Sequence, residues 1–234
     1  MIVLAYAARG STGFGAAAAF PLLSLVLPIK VLIPAWTLLG IVAGITLVGR
    51  DRRNIAWREV AKILPGCVLG VLLGIFLFSV VDSVWLQRGL GVLVVLYGLR
   101  SLWATFRPVA KPRGPAWLLA AVMGFIGGVV GATFGTLASL FLAIYFDATR
   151  LPKDAFRATM SAVLLALTIG RGLGYWSVDQ YTSQVLLTFA VALPMMWLGI
   201  FIGDRIHGGL SDMTFRRTIC GILIVSGAAL LAKP

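Results

Sequence analysis

Residues 114–146 read GPAWLLAAVMGFIGGVVGATFGTLASLFLAIYF, which is 33 residues without one charged side chain. A helix that crosses the hydrocarbon core needs about 20 apolar residues, so this run is too long for one simple span and too short for two. Its flanks decide how it folds. Lys111 and Arg113 precede it, and Arg150, Lys153 and Arg157 follow it. Basic loops of membrane proteins stay on the cytoplasmic side, which places both ends of the run on the same face. A segment that enters and leaves on one face crosses an even number of times. The reading is a broken or re-entrant hairpin.

The rest of the chain has the same character. Further charge-free runs occupy 10–29, 31–49, 63–81 and 180–203, of 20, 19, 19 and 24 residues. The 234 residues are 60% hydrophobic and 12% charged, whereas a soluble domain carries about 45–50% apolar and about 25% charged residues. A water-soluble globule and a disordered chain are both excluded. Cys67 and Cys220 each sit inside an apolar run, so neither a disulfide framework nor a zinc site is available. Met1–Ala8 lacks the length and basic n-region of a cleavable signal. The net charge of +12 would suggest nucleic acid in a soluble protein. Here the Lys and Arg residues lie in short loops between apolar runs, the distribution of the positive-inside rule.

The chain repeats itself. Leu64-Pro65, Gly70 and Gly74 fall on Leu193-Pro194, Gly199 and Gly203 at an offset of 129, and the same offset carries Arg88 onto Arg217 and Gly98 onto Gly227. Upstream the match is looser: Phe14-Gly15 resembles Phe134-Gly135, and Leu27-Pro28 resembles Leu151-Pro152. Each half reads as a Gly-rich segment followed by three apolar spans, with a first repeat over 1–106, a cytoplasmic linker over 107–115 and a second repeat over 116–234. The loop charges flip between the halves. In the first, Arg50, Arg52, Arg53, Arg58 and Lys62 lie between the first and second spans. In the second, the basic residues precede the first span (Arg150, Lys153, Arg157) or follow the second (Arg205, Arg216, Arg217). Opposite charge patterns on homologous halves mean that the halves are inverted, an arrangement common among secondary transporters. The expected fold is an all-α polytopic membrane protein of two inverted repeats, each a Gly-broken or re-entrant segment plus three transmembrane helices.

The Gly-rich segments are the candidate site. The first contains Arg9-Gly10-Ser11-Thr12-Gly13-Phe14-Gly15; the second contains Gly124, Gly127, Gly128, Gly131, Gly135 and Thr136. Non-helical backbone at membrane depth survives only where it is buried in protein or lines a wet cavity. A helix that starts at such a break aims its N–H groups and positive dipole end at the gap. Two breaks would form an anion site from backbone and from the Thr12 and Thr136 hydroxyls. The competing reading is that glycines at four-residue spacing only let helices approach closely. Arg9 and Arg171 are the charges nearest these segments, and a charge at membrane depth points to function. Arg171 lies five residues before Trp176 and could instead snorkel to the interface. The substrate-binding set is Arg9, Thr12, Gly13, Gly15, Gly131, Gly135, Thr136 and Arg171. Catalysis has no such support: the single histidine, His207, sits in a polar loop, all eight carboxylates map to loops or span ends, and no metal-ligand or phosphate-loop spacing occurs.

The stretch 9–15 with Pro21, Leu27-Pro28, the Arg-rich 50–53 loop, Leu64-Pro65-Gly66 and Phe156-Arg157-Ala158-Thr159 resembles the sulfite exporter TauE/SafE family of membrane permeases. The resemblance runs over nearly the whole chain. It departs after Gly135-Thr136, where Leu137-Ala138-Ser139-Leu140 stands in place of the family's frequent Gly/Pro-rich stretch. It implies a multi-pass bacterial inner-membrane permease for small sulfur-containing anions such as sulfite or organosulfonates. The expected function is an exporter and not an enzyme, with alternating access expected from the inverted repeats. A non-transporting scaffold or accessory subunit and an anion channel are the alternatives. No cofactor or metal is called for. The expected partners are the anion and the lipid bilayer, with no nucleic acid, and a homodimer is left open.

Overall fold

The computed structural model describes residues 6, 19–104, 116–149 and 151–206. No strand occurs among them. The helices are α1 (Ala19–Ser24), α2 (Ile29–Asp51), α3 (Trp57–Val80), α4 (Ser83–Ala104), α5 (Ala116–Phe134), α6 (Ala138–Thr149), α7 (Lys153–Ser177) and α8 (Ser183–Ile206), with a 3₁₀ turn at Arg52–Asn54. Four of them are long and apolar enough to cross a membrane: Ile29–Gly49, Trp57–Val80, Trp117–Phe134 and Asp154–Ser177. The apolar parts of α4 and α8 are shorter, Ser83–Leu99 and Ser183–Gly199. Large apolar side chains such as Leu69, Leu72, Phe76, Trp85, Leu187 and Trp197 are exposed, the surface of a protein whose solvent is hydrocarbon. In such a solvent every backbone group must bond internally, so apolar runs become helices even with Pro34, Pro65 and Pro194 inside them. Leu27-Pro28 and Leu151-Pro152 stand immediately before α2 and α7, and the proline carbonyls accept the first helical bonds, from Leu32 N–H at 2.9 Å and from Phe156 N–H at 2.8 Å. A Leu-Pro dipeptide therefore starts a helix at both places.

The chain forms two compact units, and each draws on both sequence halves. One contains residues 1–32, 82–110 and 192–234. Within it the Gln87 side chain on α4 donates to the Ser24 carbonyl at 3.3 Å, and Phe20, Leu86, Leu90 and Val94 are buried.

The other unit, residues 33–81 and 111–191, holds α3, α5, α6, α7 and most of α2. Helices α3 and α5 run parallel at very short range. A Cβ on Gly66 would lie 2.4 Å from the Ala121 carbonyl oxygen, one on Gly70 would lie 2.2 Å from that of Phe125, and one on Gly74 would lie 2.7 Å from that of Val129. From the other side, Gly124 and Gly128 would meet the Ile63 and Cys67 carbonyls at 2.6 and 2.5 Å. After α5 the chain breaks at residues 135–137, and α6 returns alongside it, with Gly131 opposite Ala138 and Gly127 opposite Leu142. The 33-residue run is thus a hairpin of unequal arms. Its 19-residue first arm is about 28 Å long and its 12-residue second arm is about 18 Å long.

One end of this unit gathers the basic residues. Arg157 at the start of α7 pairs with Asp51 at the end of α2 (3.0 Å), and the Ala56 N–H donates to the Thr159 hydroxyl (2.9 Å). Tyr145, near the end of α6, donates to the Glu59 carboxylate, which also holds Lys62 at 2.6 Å. Because α5 runs parallel to α3 and α6 finishes near Glu59, both arms of the hairpin open toward this basic end. Cysteines placed at 52, 113 and 150 of a Cys-free protein are therefore expected to label from the cytoplasmic side, and one at 179 from outside. The loop charges alone predict the cytoplasmic side for 216, which lies outside the described residues. Opposite labelling of 113 and 150 would make the segment a single span and end the hairpin topology.

Candidate functional site

The break between α5 and α6 is where the chain's unusual chemistry collects. A helix leaves its last four carbonyls without intrahelical partners. For α5 two of these, Gly131 and Ala132, are satisfied from α7. The Arg171 guanidinium donates through one terminal nitrogen to the Gly131 carbonyl at 2.8 Å, and the Tyr175 hydroxyl donates to the Ala132 carbonyl. Just beyond, the Thr133 hydroxyl donates to the Gly74 carbonyl of α3 at 3.3 Å. Arg171 and Tyr175 are four residues apart, one helical turn, and so share a face of α7 with Thr168. All three are buried, and Arg171 is only 7% exposed. A cation at the C-terminal end of a helix also meets its negative dipole end.

The backbone at the break is irregular in a defined way. Gly135 has φ +72° and Leu137 has φ 70°, both in the left-handed region. The first fits a glycine just past a helix C-terminus. The second is strained for a leucine, and Leu137 is nevertheless almost fully buried. Its carbonyl accepts from the Leu140 N–H at 3.1 Å, which opens α6. A Cβ at Gly135 would also lie 3.1 Å from a methyl of Ile33 on α2. Gly135→Ala is therefore expected to lower thermal stability by about 1–2 kcal/mol, measured as a shift in the unfolding midpoint of purified protein. An unchanged midpoint would mean that the break relaxes without a left-handed residue.

On the opposite side of the guanidinium is α2. A Cβ at Gly40 would stand 3.6 Å from the second terminal nitrogen of Arg171 and 3.0 Å from the Thr168 methyl. Beyond it Tyr181, in the loop after α7, donates to the Gly172 carbonyl at 3.1 Å. Burial raises the Tyr181 phenol above its ordinary pKa, against a smaller lowering by the Arg171 charge, so it remains a donor at neutral pH.

Of the residues singled out from the sequence, Gly131, Gly135 and Arg171 meet here and Thr136 lies in the break, half-buried. Arg9, Thr12, Gly13 and Gly15 lie outside the described residues. Arg171 turns inward to the break and not out to Trp176, which is exposed. Gly124 and Gly128 serve close packing against α3. Arg157 lies within α7, in an ion pair with Asp51. Sequence reading missed Tyr175, Thr133 and Gly40. The four-residue step from Arg171 to Tyr175 was the available signal, whereas Thr133 and Gly40 face the site only through tertiary packing.

No solved structure matches the chain. Among curated proteins it is 28% identical over 198 residues (82% of this chain and 80% of the relative) to "Probable inner membrane transporter protein TsaS" of Comamonas testosteroni. It is also 28% identical over 210 residues (86% and 80%) to "Probable sulfite/organosulfonate exporter TauE" of Cupriavidus necator. The profile described as "Sulfite exporter TauE/SafE" matches residues 1–230, and with it the buried arginine at a broken apolar hairpin finds its context: the chain belongs to the TauE/SafE family of membrane transporters.

Proposed function

We propose that this protein is a permease of the bacterial inner membrane that exports small sulfur-containing anions such as sulfite or organosulfonates. The observation that carries the reading is Arg171, a buried charge within a long apolar helix, bonded to the last turn of α5 beside a stretch of non-helical backbone. A charge at membrane depth is costly and is kept where it meets a substrate or a relay. Gly131, Gly135, Thr136 and Arg171 would form one half of the site, and Arg9, Thr12, Gly13 and Gly15 of the first repeat the other. The repeats 1–106 and 116–234, joined by 107–115, would be inverted and would rock about the site to alternate access. The names of both relatives support a transporter, and one of them names sulfite and organosulfonates.

Flux of labelled sulfite, thiosulfate and organosulfonates in proteoliposomes tests this. Saturable movement of one of them supports a carrier, unsaturated current a channel, and no movement a scaffold. The driving force follows from the charges present. Glu59 is on the first turn of α3, held by Lys62 and Tyr145 at the basic end, so it is not a carboxylate on a path past Arg171. An inside-negative potential favours anion exit by about 2.3 kcal/mol per charge per 100 mV. Export is therefore expected to follow an imposed potential with no obligatory side-chain proton carrier. Asp147, which directly follows the charge-free run 114–146, is the carboxylate to test: uphill flux driven by a pH gradient alone, abolished by Asp147→Asn, would overturn that expectation.

A further inference from the structure

We propose that the Gly131 carbonyl oxygen is an internal stand-in for the substrate, and that an entering oxyanion takes Arg171 from it while Tyr175, a positioning residue, keeps the end of α5 in place. This rests on the permease reading and deepens it. The guanidinium already has an acceptor of the right kind. Gly131 lies in the last turn of α5, where the carbonyls carry the negative end of the helix dipole, and the 2.8 Å bond has the ordinary length for a charged donor. The other terminal nitrogen lies beside α2 at Gly40, where an added Cβ would stand 3.6 Å from it and 3.0 Å from the Thr168 methyl, and Arg171 is only 7% exposed. With the charge so enclosed, an anion reaches full contact by replacing the carbonyl.

The exchange has a structural consequence. Three hydrogen bonds fix the end of α5: from Arg171, from Tyr175 and from Thr133 to α3. Removing the first leaves two, so the helix end stays placed while the break beside it is released. That break stores strain at Leu137, with φ 70°, which persists only while its surroundings over-determine it. Gly131 is also pinched against the returning arm, its absent Cβ lying 2.9 Å from that of Ala138. Anion binding thereby loosens residues 133–140, and the ligand must offer an oxygen acceptor in place of the carbonyl, as sulfite and sulfonates do.

Amide hydrogen exchange on the full-length protein in liposomes, with and without saturating methanesulfonate, tests the exchange of partners. Binding is followed separately by calorimetry. Methanesulfonate is expected to speed exchange across 133–140 by about tenfold, the loss of one hydrogen bond to a charged group. Tyr175→Phe should raise the anion-free rate and keep the anion-dependent step, and Arg171→Lys should raise the anion-free rate and lose the step. Bound methanesulfonate with unchanged or slower exchange at 133–140 would overturn the stand-in role and leave the permease reading intact. If neither methanesulfonate nor sulfite binds or moves, the permease reading fails and takes this inference with it.

Discussion

Arg171→Gln is expected to reduce anion flux in proteoliposomes by roughly 30-fold or more while the protein still inserts and elutes as a single species. The magnitude comes from the cost of deleting one partner of a buried, hydrogen-bonded charge pair, about 2–5 kcal/mol, at about 1.4 kcal/mol per tenfold. Glutamine keeps an amide donor on the same face of α7, so Gly131 can still find a partner, and Tyr175 and Thr133 still hold the neighbouring turn. Folding is therefore affected less than transport. What glutamine cannot supply is the positive charge. Arg171→Lys restores the charge as a single point without the planar fork, and should give an intermediate loss of about tenfold at limiting substrate. Wild-type flux in Arg171→Gln would remove the charge from the transport path and reduce Arg171 to a helix cap.

The location of the helices was legible because a membrane imposes length: the charge-free runs at 31–49, 63–81 and 180–203 correspond to α2, α3 and α8. Their limits were less so. Helix α3 begins at Trp57 and not at residue 63, since charged residues in a first turn can reach out of the hydrocarbon and end no helix. The hairpin was legible from the 33-residue length and its basic flanks together, neither of which suffices alone. The glycines resisted sorting. Gly124/Gly128 and Gly131/Gly135 have the same four-residue spacing, yet the first pair faces another helix's backbone, while Gly131 faces the returning arm and Gly135 shapes the break. That difference depends on what lies opposite, and spacing within one helix does not encode it. Arg171 shows the same limit. The sequence revealed a charge inside an apolar run, while its direction was set by α5 carbonyls 40 residues away.

The close approach of α3 and α5 makes a single glycine, Gly70, a most vulnerable position in the described fold. Gly70→Ala adds one methyl group, and that methyl would lie 2.2 Å from the Phe125 carbonyl oxygen, 2.9 Å from the Val129 nitrogen and 3.0 Å from the Gly128 Cα. All three are backbone atoms of α5, so no rotamer change relieves the overlap. The helices must part by about 1 Å, and in lipid they have little hydrophobic drive to compensate for the packing lost. Overpacking of this kind costs about 1–3 kcal/mol or more. The cost reaches the site, because moving α5 pulls Gly131 and Ala132 from α7 and parts Thr133 from Gly74. Gly70→Val, with two further methyls, is expected to yield no monodisperse protein. Gly49→Ala is the matched control: it is the same chemical change in a helix, with nothing within 4 Å of the new Cβ. There the better helix propensity of alanine should leave stability unchanged or raise it by up to about 1 kcal/mol. Thermal unfolding of the two alanine variants side by side gives the comparison. Equal midpoints would mean that α3 and α5 do not meet through Gly70, and the hairpin's placement at the basic end would fall with that contact.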